Sequence, residues 1–73
     1  MLKRSVRIAL DSSLNEMKMN LENNYKDLAH DALKELHRKL EEYRKDGLIK
    51  DKDYNKYKKI ADEYSLRLKD YHH

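Results

Sequence analysis

A long apolar stripe with a helical period runs through the middle of the chain. Its nine positions follow one another in steps of three or four residues: Leu14, Met17, Leu21, Tyr25, Leu28, Ala32, Leu36, Leu40 and Tyr43. The mean step is about 3.6 residues, which is the period of a straight α-helix, whereas a left-handed coiled coil repeats every ~3.5 residues. The stripe therefore predicts one nearly straight helix whose apolar side packs in a bundle.

Both ends of this helix carry sequence signals. Ser13 is followed three residues later by Glu16, a pair that can form a capping box at a helix start. Gly47, the only glycine, follows a basic last turn and stands where helices commonly end in a left-handed residue. These signals predict a long helix over residues 12–46 and a turn over residues 47–50.

The weakest point of the long helix is Asn23-Asn24, because asparagine is a poor helix former and favours turns. The apolar stripe nevertheless keeps its phase across this pair, from Leu21 through Tyr25 to Leu28. We therefore expect the helix to continue without interruption.

A second, shorter stripe follows the turn and predicts a helix over residues 51–71. Its members share one face of a helical wheel: Tyr54, Tyr57, Ile60, Ala61, Tyr64, Leu68 and Tyr71. Because only a few residues separate the two helices, they should fold back as an antiparallel hairpin. The turn and core of this hairpin are expected at Leu36, Leu40, Gly47, Leu48, Ile49, Tyr54, Tyr57, Ile60 and Tyr64.

Residues 1–11 fit two patterns. Val6, Ile8 and Leu10 alternate as in a β-strand, yet Val6 and Leu10 also continue the helical stripe backwards. A single strand would need a partner chain to pair with. We expect a basic N-terminal arm or a short helix.

The unequal lengths of the two predicted helices indicate self-association. A helix of about 34 residues spans roughly 50 Å, and one of about 20 residues spans roughly 30 Å. The shorter helix therefore leaves part of the long stripe uncovered, and monomers avoid such apolar patches. We expect a second copy to cover Leu14, Met17, Leu21 and Tyr25, so that two hairpins form an all-α four-helix bundle as a homodimer. A higher even oligomer is the alternative.

Composition narrows the function classes. The chain has 73 residues, no Cys, no Pro and one Gly, which excludes disulfide frameworks, thiolate metal sites and glycine-rich phosphate loops. No apolar run approaches the ~20 residues that cross a bilayer. A chain of two helices also has little room for a dry pocket that would perturb a pKa. We therefore expect one small cytoplasmic domain that is not an enzyme and uses no cofactor.

The four histidines could indicate a metal. His30 and His37 are seven residues apart, or about two helical turns, whereas zinc ligands on one helix usually lie three or four residues apart. Both lie off the apolar stripe, and His72 and His73 end the sequence. We expect solvated surface histidines and no metal site.

The net charge of +3 is concentrated at the start of the chain. Lys3, Arg4 and Arg7 stand among the first ten residues, which contain no acid. A clustered basic segment is the electrostatic signature of proteins that contact phosphates. The alternative function is therefore a nucleic-acid-binding accessory protein that uses these three side chains.

Residues 33–60 resemble the short C-terminal domain family, SHOCT. The shared features are helical leucines, a Gly-Leu-Ile turn, an acid–aromatic pair and a later lysine, here Leu36, Leu40, Gly47-Leu48-Ile49, Asp53-Tyr54, Lys58 and Ile60. The resemblance implies a small helical interaction or oligomerisation module, often carried by prokaryotic and mobile-element proteins, without catalytic residues. On this basis we expect a non-enzymatic protein that binds itself and an unidentified protein partner.

The opening residues 5–11, followed by helices, also resemble ribbon-helix-helix repressors. That resemblance implies a strand that pairs across a dimer and reads the major groove, with Arg7 among the residues that contact bases. The unbroken stripe across Asn23-Asn24 opposes it, because this fold needs a turn between its two helices.

Overall fold

The computed structural model describes residues 3–69, and within them the chain forms three α-helices and no strand. They are α1 (Arg4–Glu22), α2 (Lys26–Lys45) and α3 (Asp51–Lys69). Successive helices run antiparallel and pack side by side, and α1 lies along α2 more extensively than α3 does. The all-α class is confirmed, and none of the helices in the described part is long and apolar enough to cross a membrane. The predictions for Tyr71, His72 and His73 lie outside the described residues.

The prediction of one continuous helix over residues 12–46 is wrong, because the chain reverses between α1 and α2. Asn24 adopts a left-handed backbone conformation with φ of 63°. Its N–H donates to the carbonyl of Leu21 at 3.1 Å, and the N–H of Tyr25 donates to the carbonyl of Asn20 at 2.7 Å. This pair of bonds is a Schellman motif, which satisfies the carbonyls left free at a helix end. Asparagine is the residue after glycine that most readily takes this conformation.

The second turn has the same hydrogen-bond pattern and confirms the role predicted for Gly47. Gly47 has φ of 72°, and its N–H donates to the carbonyl of Arg44 at 3.1 Å. The N–H of Leu48 donates to the carbonyl of Tyr43 at 2.8 Å, which completes the Schellman motif. Leu48 packs against the core and Ile49 is buried, so the turn is anchored on both helices.

Among the described residues the chain is helical from Arg4, which decides between the two patterns at Val6, Ile8 and Leu10. Val6 and Leu10 are buried against the other helices, while Ile8 is exposed on the opposite side of α1. This separation follows the helical period and excludes the alternation of a strand. The strand that the ribbon-helix-helix resemblance implies is therefore contradicted.

One hydrophobic core runs through all three helices. Its buried members are Val6, Leu10, Leu14, Met17, Ala29, Ala32, Leu33, Leu36, Leu40, Ile49, Tyr54, Tyr57, Ala61 and Leu68. Burying a Leu or Met side chain contributes about 1.5–3 kcal/mol, so α1 adds several such increments to a hairpin of α2 and α3. A chain this short gains from that third helix the burial that two helices could not supply.

The predicted self-association interface is also corrected by the fold. Leu14 and Met17 are buried within the chain's own core, and Leu21 is half-buried beside it. Because α1 folds back on α2, these side chains have an intramolecular cover and need no second copy. Of the four residues assigned to that interface, only Tyr25 is exposed.

Candidate interaction surfaces

The outer face of α1, which we define as Ile8, Ser12, Asn15 and Met19, points away from the core. These residues follow one another in steps of four, three and four. They line a shallow depression together with flanking polar and charged residues, which are Arg7, Asp11, Glu16 and Asn20. Ile8 is 54% exposed and Met19 is 61% exposed, with two small polar residues between them. The same helical row begins one turn earlier at Arg4 and ends at Glu22, so that its two ends carry opposite charges.

The charges of α1 run against its helix dipole. The first turns of α2 and α3 contain Asp27 and Asp51 with Asp53, and their last turns contain basic residues. By contrast, α1 has no acid in its first turn and no base in its last. Each such arrangement at an exposed helix end costs roughly 0.3–1 kcal/mol. The reversed charges of α1 are therefore not explained by the stability of that helix.

The basic residues predicted to contact nucleic acid lie at one end of the bundle. Lys3, Arg4 and Arg7 are all exposed at the start of α1. The antiparallel order places this start beside the turn between α2 and α3. Exposed bases and acids alternate along that turn: Arg44, Lys45, Asp46, Lys50 and Asp51. The guanidinium of Arg44 lies 4.4 Å from the ring centroid of Tyr54, so one of these bases is already stacked on an aromatic ring.

Polar side-chain contacts join α1 to the other helices. The Tyr57 hydroxyl donates to Asp11 Oδ1 at 2.7 Å, and Lys39 Nζ donates to the hydroxyl of buried Ser13 at 2.8 Å. Burial, together with the hydrogen bond to Asp11, raises the pKa of Tyr57 to about 12. A phenol in its neutral form is a hydrogen-bond donor, so this tyrosine links α3 to α1.

His37 on α2 contacts Ser65 on α3. Its Nε2 lies 3.4 Å from the hydroxyl of Ser65. Burial, with the positive charge of Lys58 nearby, lowers the pKa of His37 below its ordinary value. His30 is exposed, and the described part of the chain contains no group of three His, Asp or Glu residues that could hold a metal ion.

A narrow groove separates the second halves of α1 and α3. Lys18, Leu21, Tyr64 and Arg67 line an open depression of about 270 Å³. Lys18 Nζ lies 6.0 Å and the Arg67 guanidinium 5.3 Å from the ring centroid of Tyr64. The aromatic face is therefore occupied by the chain's own cations, which leaves little of the groove for a ligand.

The turn between α1 and α2 carries a further apolar pair. Tyr25 is 56% exposed and Leu28 is 53% exposed, although both belong to the stripe that supplies the core. A depression lined by residues 24–28 lies at this end of the bundle. Leu66 on α3 is the remaining large apolar side chain that is exposed in the described residues, at 65%.

Most residues of the predicted hairpin core lie where they were expected. Leu36, Leu40, Ile49, Tyr54 and Tyr57 are buried, and Leu48, Ile60 and Tyr64 are half-buried against them. Sequence reasoning missed the outer face of α1. The signal for that face was the spacing of eleven residues between Ile8 and Met19, which places two apolar side chains three turns apart on one side.

Comparison with models of known protein families, with curated proteins and with solved structures gives no match for this chain.

Proposed function

We propose that this protein is a non-enzymatic interaction module that binds a helix of a partner protein on the outer face of α1. The observation that carries the proposal is the combination on one face of two exposed apolar side chains and a reversed charge pattern. Ile8 and Met19 supply apolar anchors, and Ser12 and Asn15 between them are small enough for a second helix to approach closely.

Charge complementarity selects the direction of the partner helix. A helix that runs antiparallel to α1 places its negative C-terminal end beside Arg4 and its positive N-terminal end beside Glu22. Both charges of α1 that are unfavourable in isolation become favourable in that complex. This mode is a helix packed on a helix, with an apolar anchor on each side of the small polar residues and a charge at each end.

Site-specific photo-crosslinking tests the proposal. A benzophenone amino acid placed at Asn15, at the centre of the face, should give adducts with a partner in the cells that naturally make the protein. Met19→Lys in the same chain should remove the adducts. Leu66→Lys is the matched control, because Leu66 is equally exposed but lies on α3, and this change should leave them intact.

Two results would contradict the proposal. One is the absence of adducts from Asn15, and the other is a set of adducts that Met19→Lys leaves unchanged. The resemblance of residues 33–60 to SHOCT modules supports the same class of function, because it implies a helical interaction or oligomerisation module.

The second candidate is binding of nucleic acid at the end of the bundle where α1 begins. It is favoured by the position of Lys3, Arg4 and Arg7 at the same end as the bases of the turn between α2 and α3. Phosphate-driven binding should be measurable by fluorescence anisotropy on random DNA and RNA at about 25 mM salt and fall steeply by about 150 mM. An Arg4→Glu, Arg7→Glu variant should bind more weakly to every sequence. No binding of the parent at the lower salt concentration would exclude this candidate.

A further inference from the structure

The apolar stripe continues in phase through a turn at which the chain reverses. Leu21, Tyr25 and Leu28 would share one face of a continuous helix, yet the reversal leaves Tyr25 and Leu28 more than half exposed. The sequence around the turn is therefore compatible with two conformations, one reversed and one helical.

Only a short segment separates these conformations. The turn consists of Asn23, Asn24 and Tyr25. Asn24 has a left-handed backbone conformation, which is energetically unfavourable for residues other than glycine. If these three residues became helical, α1 and α2 would join into one helix of about 42 residues, roughly 63 Å long. The two Schellman hydrogen bonds would be exchanged for ordinary helical ones.

Opening the turn removes α1 from its own core and exposes Leu10, Leu14 and Met17. A second opened copy exposes the same side chains and leaves the same vacant place on its α2 and α3. Each α1 can therefore occupy the other's place, and the contacts of Ser13 with Lys39 and of Asp11 with Tyr57 form again between copies. Exchange of an identical element in this way is domain swapping.

We propose that the partner of the exposed Tyr25 and Leu28 is a second copy of this chain, in a dimer that exchanges α1 through the opened turn. In such a dimer the two long helices cross near the two-fold axis at the former turn. Tyr25 and Leu28 of one copy then pack against the same residues of the other. This inference rests on the proposed interaction function and identifies a second copy of the chain as one partner. The contact between copies does not involve the outer face of α1.

Two substitutions at the turn should move the equilibrium in opposite directions. Asn23→Ala with Asn24→Ala favours a helix and penalises the left-handed conformation, so the dimer dissociation constant should fall at least tenfold. Asn24→Gly removes the same side chain at position 24 but favours the reversed turn, so it should raise the constant. Sedimentation equilibrium over about 10–500 µM measures both. A double-alanine variant that is helical and monomeric, or that loses its helix, would overturn the proposal.

Crosslinking within the isolated dimer shows whether α1 is exchanged. The chain has no cysteine, so Ser13→Cys with Lys39→Cys gives a unique pair between α1 and α2 for a short bismaleimide. In an exchanged dimer this reagent joins two chains, and a denaturing gel shows the doubled mass. His37→Cys with Ser65→Cys is the matched control, because that pair between α2 and α3 stays within one chain. A dimer whose Ser13–Lys39 crosslink stays within one chain would refute the exchange.

The packing at the two-fold axis has its own test. Leu28→Lys should raise the dimer dissociation constant of the double-alanine variant at least tenfold. Leu66→Lys, at a leucine that is also more than half exposed in the monomer, should leave the constant unchanged. Equal effects of the two would contradict the placement of Leu28 at the axis. Met19→Lys should not affect this dimer, so the swapped dimer and the outer-face complex can fail independently.

Discussion

The Tyr57 hydroxyl reaches Asp11 Oδ1 at 2.7 Å and thereby joins α3 to α1 across 46 residues of chain. Tyr57→Phe should lower the free energy of unfolding by about 1–2 kcal/mol, because the aromatic ring stays buried while the hydrogen bond to a charged group is lost. A double-mutant cycle with Asp11→Ala, measured by urea unfolding, should show that most of this loss is shared. Strictly additive effects would mean that the pair does not interact in solution.

The same tyrosine makes stability depend on alkaline pH. Its pKa is raised from 10.0 in the unfolded chain to about 12 in the fold, so the neutral phenol is favoured by folding. The stabilisation is fully present below pH 10 and is lost as pH rises towards 12. Urea unfolding should show a decline over this window that is smaller in Tyr57→Phe than in the parent. An identical decline in both would assign it to other groups.

His37, between α2 and α3, makes stability depend on pH in the opposite direction, because its contribution is lost as the pH falls. The pKa of His37 is lowered by burial, so the fold favours the neutral ring. Its stabilisation is present above the unfolded-state value of about 6.5 and is lost as pH falls through the lower folded-state pKa. His37→Gln should flatten the acid limb of a stability–pH curve, while His30→Gln, at an exposed site, should leave it unchanged.

Gly47 and Asn24 provide a matched comparison of the two turns. Gly47→Ala should cost about 1 kcal/mol, and only through backbone strain, because nothing lies within 4 Å of the added Cβ. Asn24→Gly should raise the free energy of unfolding of the monomer, since it relieves the left-handed asparagine. Urea unfolding at low protein concentration measures both. A stable Gly47→Ala variant would contradict the left-handed turn.

Leu14 distinguishes an intramolecular core from an interface between copies. Leu14→Ala should destabilise the protein by about 2–5 kcal/mol at every concentration, as expected for a cavity inside a monomer. Leu66→Ala, on the surface of α3, should change stability by less than about 0.5 kcal/mol. Thermal unfolding at two concentrations tenfold apart should show the same shift for Leu14→Ala. A shift that grows on dilution would place Leu14 between copies in the resting state.

Periodicity alone predicted the side of each helix that is buried. Leu36, Leu40 and Tyr57 lie in the core because the helical period fixes which residues share a face, whatever the topology. The turn at Asn24 could not be found in this way, since a helix that reverses direction still places apolar residues at the same spacing on both sides. Local propensity held the missing information, because two adjacent asparagines can end a helix in a left-handed residue.

The error at that turn propagated into the predicted interface. A continuous helix would have left Leu14 and Met17 uncovered, and the expectation of self-association through these residues followed from that length. The outer face of α1 was not predicted, because the alternation of Val6, Ile8 and Leu10 left the conformation of this segment open. Sequence patterns therefore predicted the helices and most of their buried faces. They did not predict the reversal of the chain at Asn24, which determines the helix against which each face packs.

The packing of α1 on α2 through a three-residue turn has a consequence for the order in which the bundle forms. Helices that are neighbours in sequence make contacts over short chain separations. Bundles dominated by such local contacts fold within microseconds to milliseconds. The hairpin of α1 and α2 shares the larger surface, so it should form first, with α3 docking afterwards. Among local openings that leave the turn at Asn24 intact, release of α3 exposes the smaller surface. The backbone amides of α3 should therefore exchange with deuterated solvent sooner than those at the centre of α2.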